Sequence, residues 1–153
     1  MIRQAVEADA QSISRVLIRS ITQLCFDDHK DAPEAIASWT AEKSPEDIVR
    51  WINAGTQLRV SECDGQIAAV GGFLTTGRIL LLYVHPAFRG AGHSSALLDA
   101  MEQEIASFGN QQAQLVSSHT ALGFYRKRGW HSDGPEVACY STQGQPMKKQ
   151  LIP

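Results

Sequence analysis

At 153 residues, with 43% hydrophobic and 20% charged side chains, the chain suits one domain, since roughly 100–200 residues usually share a single core. A formal net charge of -2 excludes an electrostatic case for nucleic acid, which needs clustered Lys and Arg. No apolar stretch approaches the ~20 residues needed to span a bilayer, so no membrane partner is expected. Cys25, Cys63 and Cys139 show no CxxC spacing and leave an odd thiol, which argues against a metal site or a disulfide framework.

Met1-Ile2-Arg3-Gln4 enters a strand-like run with no signal-peptide pattern, and the expectation is a cytoplasmic, reduced protein. Asp9 reads as the N-cap of a helix carrying Ile13, Val16, Leu17, Ile21 and Leu24 on one face. Pro33 and Pro45 each sit where a helix begins, and Ser44-Pro45-Glu46-Asp47 combines an N-cap, a first-turn proline and first-turn acids. These helices carry Trp39 and Trp51. From Gln57 the period becomes strand-like: Leu58 and Val60, an Asp64-Gly65 turn, then Ile67 to Phe73 predict a hairpin. Gly77 precedes Ile79-Leu80-Leu81-Leu82-Tyr83-Val84, which reads as a buried central strand. A glycine loop follows, then a helix through Ala96, Leu97, Ala100, Met101 and Ile105, stopped at Gly109-Asn110. Gln114 to Ser117 predicts a strand, Thr120 to Arg128 a helix closed by Gly129, and Val137–Tyr140 with Met147–Leu151 a last hairpin. Arg126-Lys127-Arg128 and Lys148-Lys149 are the tight basic runs, and the first reads as a solvated helix terminus. The order of elements points to an α+β class, with a mixed, mostly antiparallel central sheet flanked by helices, in one domain over 1–153.

The segment richest in chemistry runs from Leu80 to Leu98. A helix starts inside a loop with two glycines, directly after an apolar strand. N–H groups at a helix start lack intrahelical partners, and the dipole adds partial positive charge there. Glycines allow close approach of an anion, Arg89 adds charge, and Ser94 and Ser95 add hydroxyl donors. The loop reads equally as a tight turn or as an anion cradle. No Gly-Lys-Ser/Thr follows, so it is not a Walker loop, and Ser95 stands where a dinucleotide fingerprint has its third glycine.

Val84-His85-Pro86-Ala87-Phe88-Arg89-Gly90-Ala91-Gly92-His93-Ser94-Ser95-Ala96-Leu97-Leu98 resembles the acetyl-CoA-binding motif of the GCN5-related N-acetyltransferases (GNAT), Arg/Gln-x-x-Gly-x-Gly/Ala. Arg89, Gly92 and Ser94 take its three places, Ser94 departing from Gly or Ala. Ala121-Leu122-Gly123-Phe124-Tyr125-Arg126-Lys127-Arg128-Gly129-Trp130 is similar to the family's Ala-x-x-Phe-Tyr-x-x-x-Gly-Phe. His29, Trp39 and the helix-rich segment before Gln57 resemble the YafP-like branch.

The resemblance implies a GNAT-like fold and acetyl-CoA as co-substrate, with acetyl transferred to an amine of a small molecule or peptide by direct attack. It implies a cofactor site at Leu82, Tyr83, Val84, Arg89, Gly90, Ala91, Gly92, His93, Ser94, Ser95 and Ser118. The backbone of Leu82 and Val84 would pair with the pantetheine arm like an added strand. Ser118 stands where many relatives have asparagine, and a plain strand-end serine is the alternative. Tyr125 is implied as the general acid toward the leaving thiolate, although a phenol near pKa 10 and a thiol near 8.5 make that transfer slightly uphill. The strand Ile79–Val84 lacks the glutamate that many relatives use as base. A water relay, His29 or His119 are the alternatives, an imidazole near pKa 6.5 suiting the task. His119 also reads as a cap, and His85 and His93 as loop positions. His29, Trp39 and Trp51 are expected around the acceptor cleft, against the plainer reading of core tryptophans, with Cys139 and Tyr140 reaching its floor. A homodimer is compatible with the sequence. The competing function is an acyl-CoA-binding sensor or interaction module without turnover.

Overall fold

The computed structural model describes residues 1–151, so the last two residues of the expected domain lie outside the described part. Four strands, β1 (Ile2–Gln4), β2 (Gln57–Cys63), β3 (Gln66–Phe73) and β4 (Ile79–Val84), form a first antiparallel sheet in that order. The β2–β3 connection is the expected hairpin: Asp64 and Gly65 take φ of 53° and 76°, as a type I′ turn requires at both central positions.

Five α-helices precede β5 (Gln112–Ser117): α1 (Ala10–Leu24), α2 (Phe26–His29), α3 (Pro33–Thr40), α4 (Pro45–Asn53) and α5 (His93–Ser107). Ser44 caps α4 as its sequence demands, its hydroxyl accepting from Asp47 N–H at 3.1 Å while Asp47 reaches back to Ser44 N–H at 3.0 Å. Asp9 differs from expectation. It stands before α1, but its carboxylate accepts from Val6 N–H and from Arg3, each at 2.8 Å, so it fastens the preceding turn rather than capping the helix.

Alternation along β3 assigns the two faces. Val70 belongs to a core with Ile13, Val16, Leu17, Ile48, Leu58 and Val60, beneath α1 and α4. Phe73 belongs to the opposite core with Leu98, Met101, Ile105, Leu115, Trp130 and Met147, beneath α5. Burying each such aliphatic side chain contributes about 1.5–3 kcal/mol. Gly71 lets α5 approach, since a Cβ there would lie 2.8 Å from the Met101 thioether.

A second sheet holds β5 (Gln112–Ser117), β8 (Thr142–Gln150) and β6 (His131–Ser132), with β7 (Val137–Cys139) paired on β8. The last hairpin is therefore present, but its second strand starts at Thr142 and runs on as the centre of this sheet, Met147 facing Leu115. The helix after β5 is shorter than Thr120–Arg128: α6 covers Leu122–Arg126, because Ser118 and Thr120 bend the entry and Gly129, at φ 89°, ends it.

The two sheets meet between β4 and β5, where one isolated parallel bridge joins Arg78 to Gln114. Beyond it the strands part. This revises the reading of Ile79–Val84 as a buried central strand: β4 is an edge, and most of its residues are only half-buried. Its apolar side chains line open space on the side where a buried strand would have a neighbour.

Candidate active site

The parting of β4 and β5 produces two cavities that meet in the middle. One, of about 490 Å³, opens toward the start of α5; the other, of about 330 Å³, opens toward α3 and the β7–β8 turn. Leu82, Tyr83, Ser118, Ala121 and Tyr125 line both, and so mark the junction.

The larger cavity gathers every residue of the expected cofactor set except Ala91, which lies outside its lining. Gly90 and Gly92 take φ of 82° and 87°, a backbone that L side chains adopt at a cost. A Cβ at either would meet nothing within 4 Å, so these glycines serve the turn rather than relieve crowding. The turn aims the first N–H groups of α5 outward, and no side chain caps them. Arg89 is exposed beside them, and Ser94 and Ser95 are half-buried in the wall. This cradle suits an anion of the size of a pyrophosphate.

The strand edge is similarly open. His85 N–H donates to Ala68 O at 2.8 Å, so in the alternating ladder Leu82 and Val84 turn their backbone groups away from β3 and along the cavity. Tyr83 differs: its backbone belongs to the ladder, and its hydroxyl accepts from Trp39 Nε1 at 3.0 Å. Ser118 Oγ accepts from Ala121 N–H at 3.2 Å, so it shapes the turn into α6 while lining the junction.

Arg128 alters the reading of the basic run as a solvated terminus. Its guanidinium lies 3.8 Å over the Phe124 ring, donates to Phe124 O at 2.9 Å and to Ser95 Oγ at 3.1 Å, and lines the larger cavity. The missed signal was spacing: four residues from Phe124, Arg128 falls on the helix face that carries that ring.

Tyr125 is 6% exposed, its ring held edge-on by Phe124 and Trp130, with centroids 5.3 and 5.9 Å away. Burial pushes its phenol well above the ordinary value of 10, so it stays protonated across the neutral range.

The expected acceptor residues divide. Trp39 lines the smaller cavity and stacks on Tyr140 at 6.2 Å and 19°, with Cys139 beside them. His29 does not line either cavity. It is buried, with Nε2 2.9 Å from Ile21 O and Nδ1 accepting from Asp31 N–H at 3.0 Å, and it holds α2 against α1. His119 is at the surface, paired with Glu136 at 2.9 Å, and lines neither cavity. Trp51 packs on the α1–α4 core. Of the two imidazoles read as loop positions, His85 accepts from Ala87 N–H and His93 sits at the first turn of α5, 2.8 Å from Ser61 Oγ.

A sheet split at β4 and β5, with a helix start facing one mouth of the resulting cleft, defines the acyl-CoA N-acyltransferase fold. The family described as Acetyltransferase (GNAT) domain matches residues 10–151, and the chain belongs to that family. Among solved structures it is similar to a GCN5-related N-acetyltransferase from Rhodopseudomonas palustris, with TM-score 0.88, 23% identity, and 98% and 94% of the two chains covered. It is similar also to the PaiA N-acetyltransferase of Thermoplasma acidophilum in complex with coenzyme A, with TM-score 0.81, 18% identity and 98% of each chain covered. A third likeness is to yncA, a putative acetyltransferase from Salmonella typhimurium with its cofactor acetyl-CoA, with TM-score 0.74, 20% identity, and 100% and 94% covered.

Proposed function

We propose that the chain moves an acetyl group from acetyl-CoA to a primary amine of a small molecule or peptide by direct attack. The observation that carries this is the pair of cavities meeting at Tyr125: an anion cradle at one mouth and an aromatic-walled space at the other. The coenzyme A and acetyl-CoA held by the two similar structures support the cofactor.

The α5 start, Arg89 and Arg128 hold the pyrophosphate, and the open edge at Leu82 and Val84 takes the pantetheine amides as an added strand would. The acyl carbonyl then falls near Val84 N–H, a donor already pointing into the cleft. Tyr125 protonates the leaving thiolate. Desolvation raises thiol and phenol alike, so burial does not widen the gap that separates them in water. The amine arrives from the smaller cavity past Trp39, Cys139 and Tyr140. The YafP-like likeness belongs to this proposal too, and rests on His29 and Trp39, whose rings meet edge-on at 6.3 Å.

The absence of an acid along Ile79–Val84 favours the second reading, an acyl-CoA sensor without turnover. Thiol release across a panel of primary amines separates the two. Turnover supports the enzyme; saturable acetyl-CoA binding with no release for any amine supports the sensor. Tyr125→Phe is expected to lower kcat by about a hundredfold while leaving acetyl-CoA affinity unchanged, and an unchanged rate removes Tyr125 as the acid.

A further inference from the structure

Lys43 lies between α3 and α4, only 5% exposed, and among the described residues no carboxylate stands within ion-pair reach of it. Its backbone carbonyl accepts from Ser14 Oγ at 2.6 Å, which pins the segment to α1. Its Nζ donates to Trp39 O at 2.6 Å and lies 3.1 Å from the Tyr140 hydroxyl. Tyr140 is held from two sides, by stacking on Trp39 and by its place in the tight β7–β8 turn, where it takes φ of 56°. A non-glycine residue keeps that backbone only where its surroundings over-determine it. Half of Tyr140 (52%) is nonetheless exposed, and it lines the smaller cavity.

We propose that Tyr140 and Lys43 form the proton-accepting pair for the acceptor amine, with Tyr140 touching the amine and Lys43 holding the proton behind it. The proposal rests on the reading of the smaller cavity as the acceptor side. It fills the role left open by a β4 without glutamate, and by His29 and His119, which stand outside both cavities.

The hydrogen bonds serve both states of the pair. An ammonium carries three N–H donors, and the structure gives Nζ two oxygen partners. In the charged state Nζ donates to Trp39 O and to the Tyr140 hydroxyl and lies 4.3 Å from the centroid of the Tyr140 ring; once Lys43 is neutral, the same 3.1 Å contact lets the Tyr140 hydroxyl donate to the freed lone pair. Burial draws Lys43 down to about 8, although Cys139, Glu42 and Asp47 oppose it, and the Tyr140 phenol is pushed up by burial first and by Cys139 and Glu42 after it. The pair therefore enters the reaction as phenol and neutral amine once the pH exceeds about 8.

The step balances without any further reactant. The acceptor ammonium gives a proton to the Tyr140 oxygen as the Tyr140 proton passes to Lys43 Nζ. The freed amine forms the N–C bond to the thioester carbonyl, the C–S bond breaks, and the thiolate takes the Tyr125 proton. The second proton, which the nitrogen sheds on becoming an amide, passes to solvent, and Tyr125 regains a proton from the same source. Lys43 returns its proton to solvent through Tyr140. Tyr140 is thus a catalytic residue, and Lys43 a positioning residue that stores the proton.

Two measurements on the full chain decide it. In the first, lysine 13Cε shifts are followed against pH, the Lys43 signal being assigned by its loss in Lys43→Met. A midpoint near 8, kept in Tyr140→Phe, supports the pair; a midpoint above about 10, the ordinary range for lysine, overturns it whatever the activity. In the second, kcat/KM is followed against pH with acetyl-CoA and a turned-over amine whose own pKa exceeds about 9. The native profile is expected to rise through about pH 8, because the base works deprotonated. In Lys43→Met and in Tyr140→Phe that rise moves to the amine's own pKa, and kcat at pH 8 falls about a hundredfold with KM for acetyl-CoA unchanged. An unmoved rise in either variant overturns the proposal. If the native protein turns over no amine, the transferase reading falls, while the 13C titration still judges the pair.

Discussion

Arg128 shows how one side chain can join two elements in the wall of a cavity. It rests on Phe124, one turn back in its own helical segment, and holds Ser95 in the first turn of α5. A cation kept this way loses little side-chain entropy on meeting a phosphate, because the aromatic face has already confined it. Arg128→Ala is expected to weaken CoA binding about tenfold to a hundredfold, the weight of one charge-assisted hydrogen bond, measured by isothermal titration. Arg128→Lys should recover only part of the loss, since a point charge neither stacks nor donates in two directions. An unchanged affinity in the alanine variant would return Arg128 to the status of a solvated terminus.

At the scale of elements, the glycines of β3 decide how closely the layers approach. A Cβ on Gly72 would sit 2.9 Å from Leu58 Cδ2 and 3.2 Å from Leu81 Cγ, both inside the core beneath α1. Gly72→Val is expected to cost about 1–3 kcal/mol in urea unfolding, as overpacking does, with the slope of the transition unchanged. The amphipathic α1, the capped α4 and the Asp64-Gly65 hairpin were legible because each obeys a local rule within a few residues. β4 was not: the run Ile79-Leu80-Leu81-Leu82-Tyr83-Val84 looks the same whether it faces a neighbouring strand or an apolar cleft, since both reward the same side chains. The glycine turn and helix start of the proposed cofactor cradle were legible because they are contiguous in sequence. The proposed acceptor end joins the Trp39–Lys43 stretch, Tyr83 and Tyr140 from three separate segments, and no spacing reveals such a meeting. His29 misled for a related reason: an imidazole satisfied by Ile21 O and Asp31 N–H has the same letter as one that faces a substrate.

At the scale of the whole molecule, each of the two sheets supplies one wall of the cleft. A ligand lying in it touches β4 from the first and the loop after β5 from the second, so it ties the two sheets together beyond the Arg78–Gln114 bridge, where the strands have parted. Acetyl-CoA at a hundredfold excess over its Kd is expected to add about 2.7 kcal/mol of stability and to raise Tm by roughly 5–10 °C. The measurement is thermal unfolding with acetyl-CoA, CoA and ATP side by side. No shift with either CoA species sinks the assignment of the larger cavity.

The cleft is open at both ends, and this governs traffic as well as binding. On the proposed reading the two reactants arrive from opposite faces and need not wait for one another to depart, so both would occupy the protein at the moment of transfer. Double-reciprocal plots over a grid of acetyl-CoA and amine concentrations should therefore intersect. Parallel lines would mean that the acetyl group rests on the protein between two separate visits, and the Cys139 thiol in the smaller cavity would be the place to look for it.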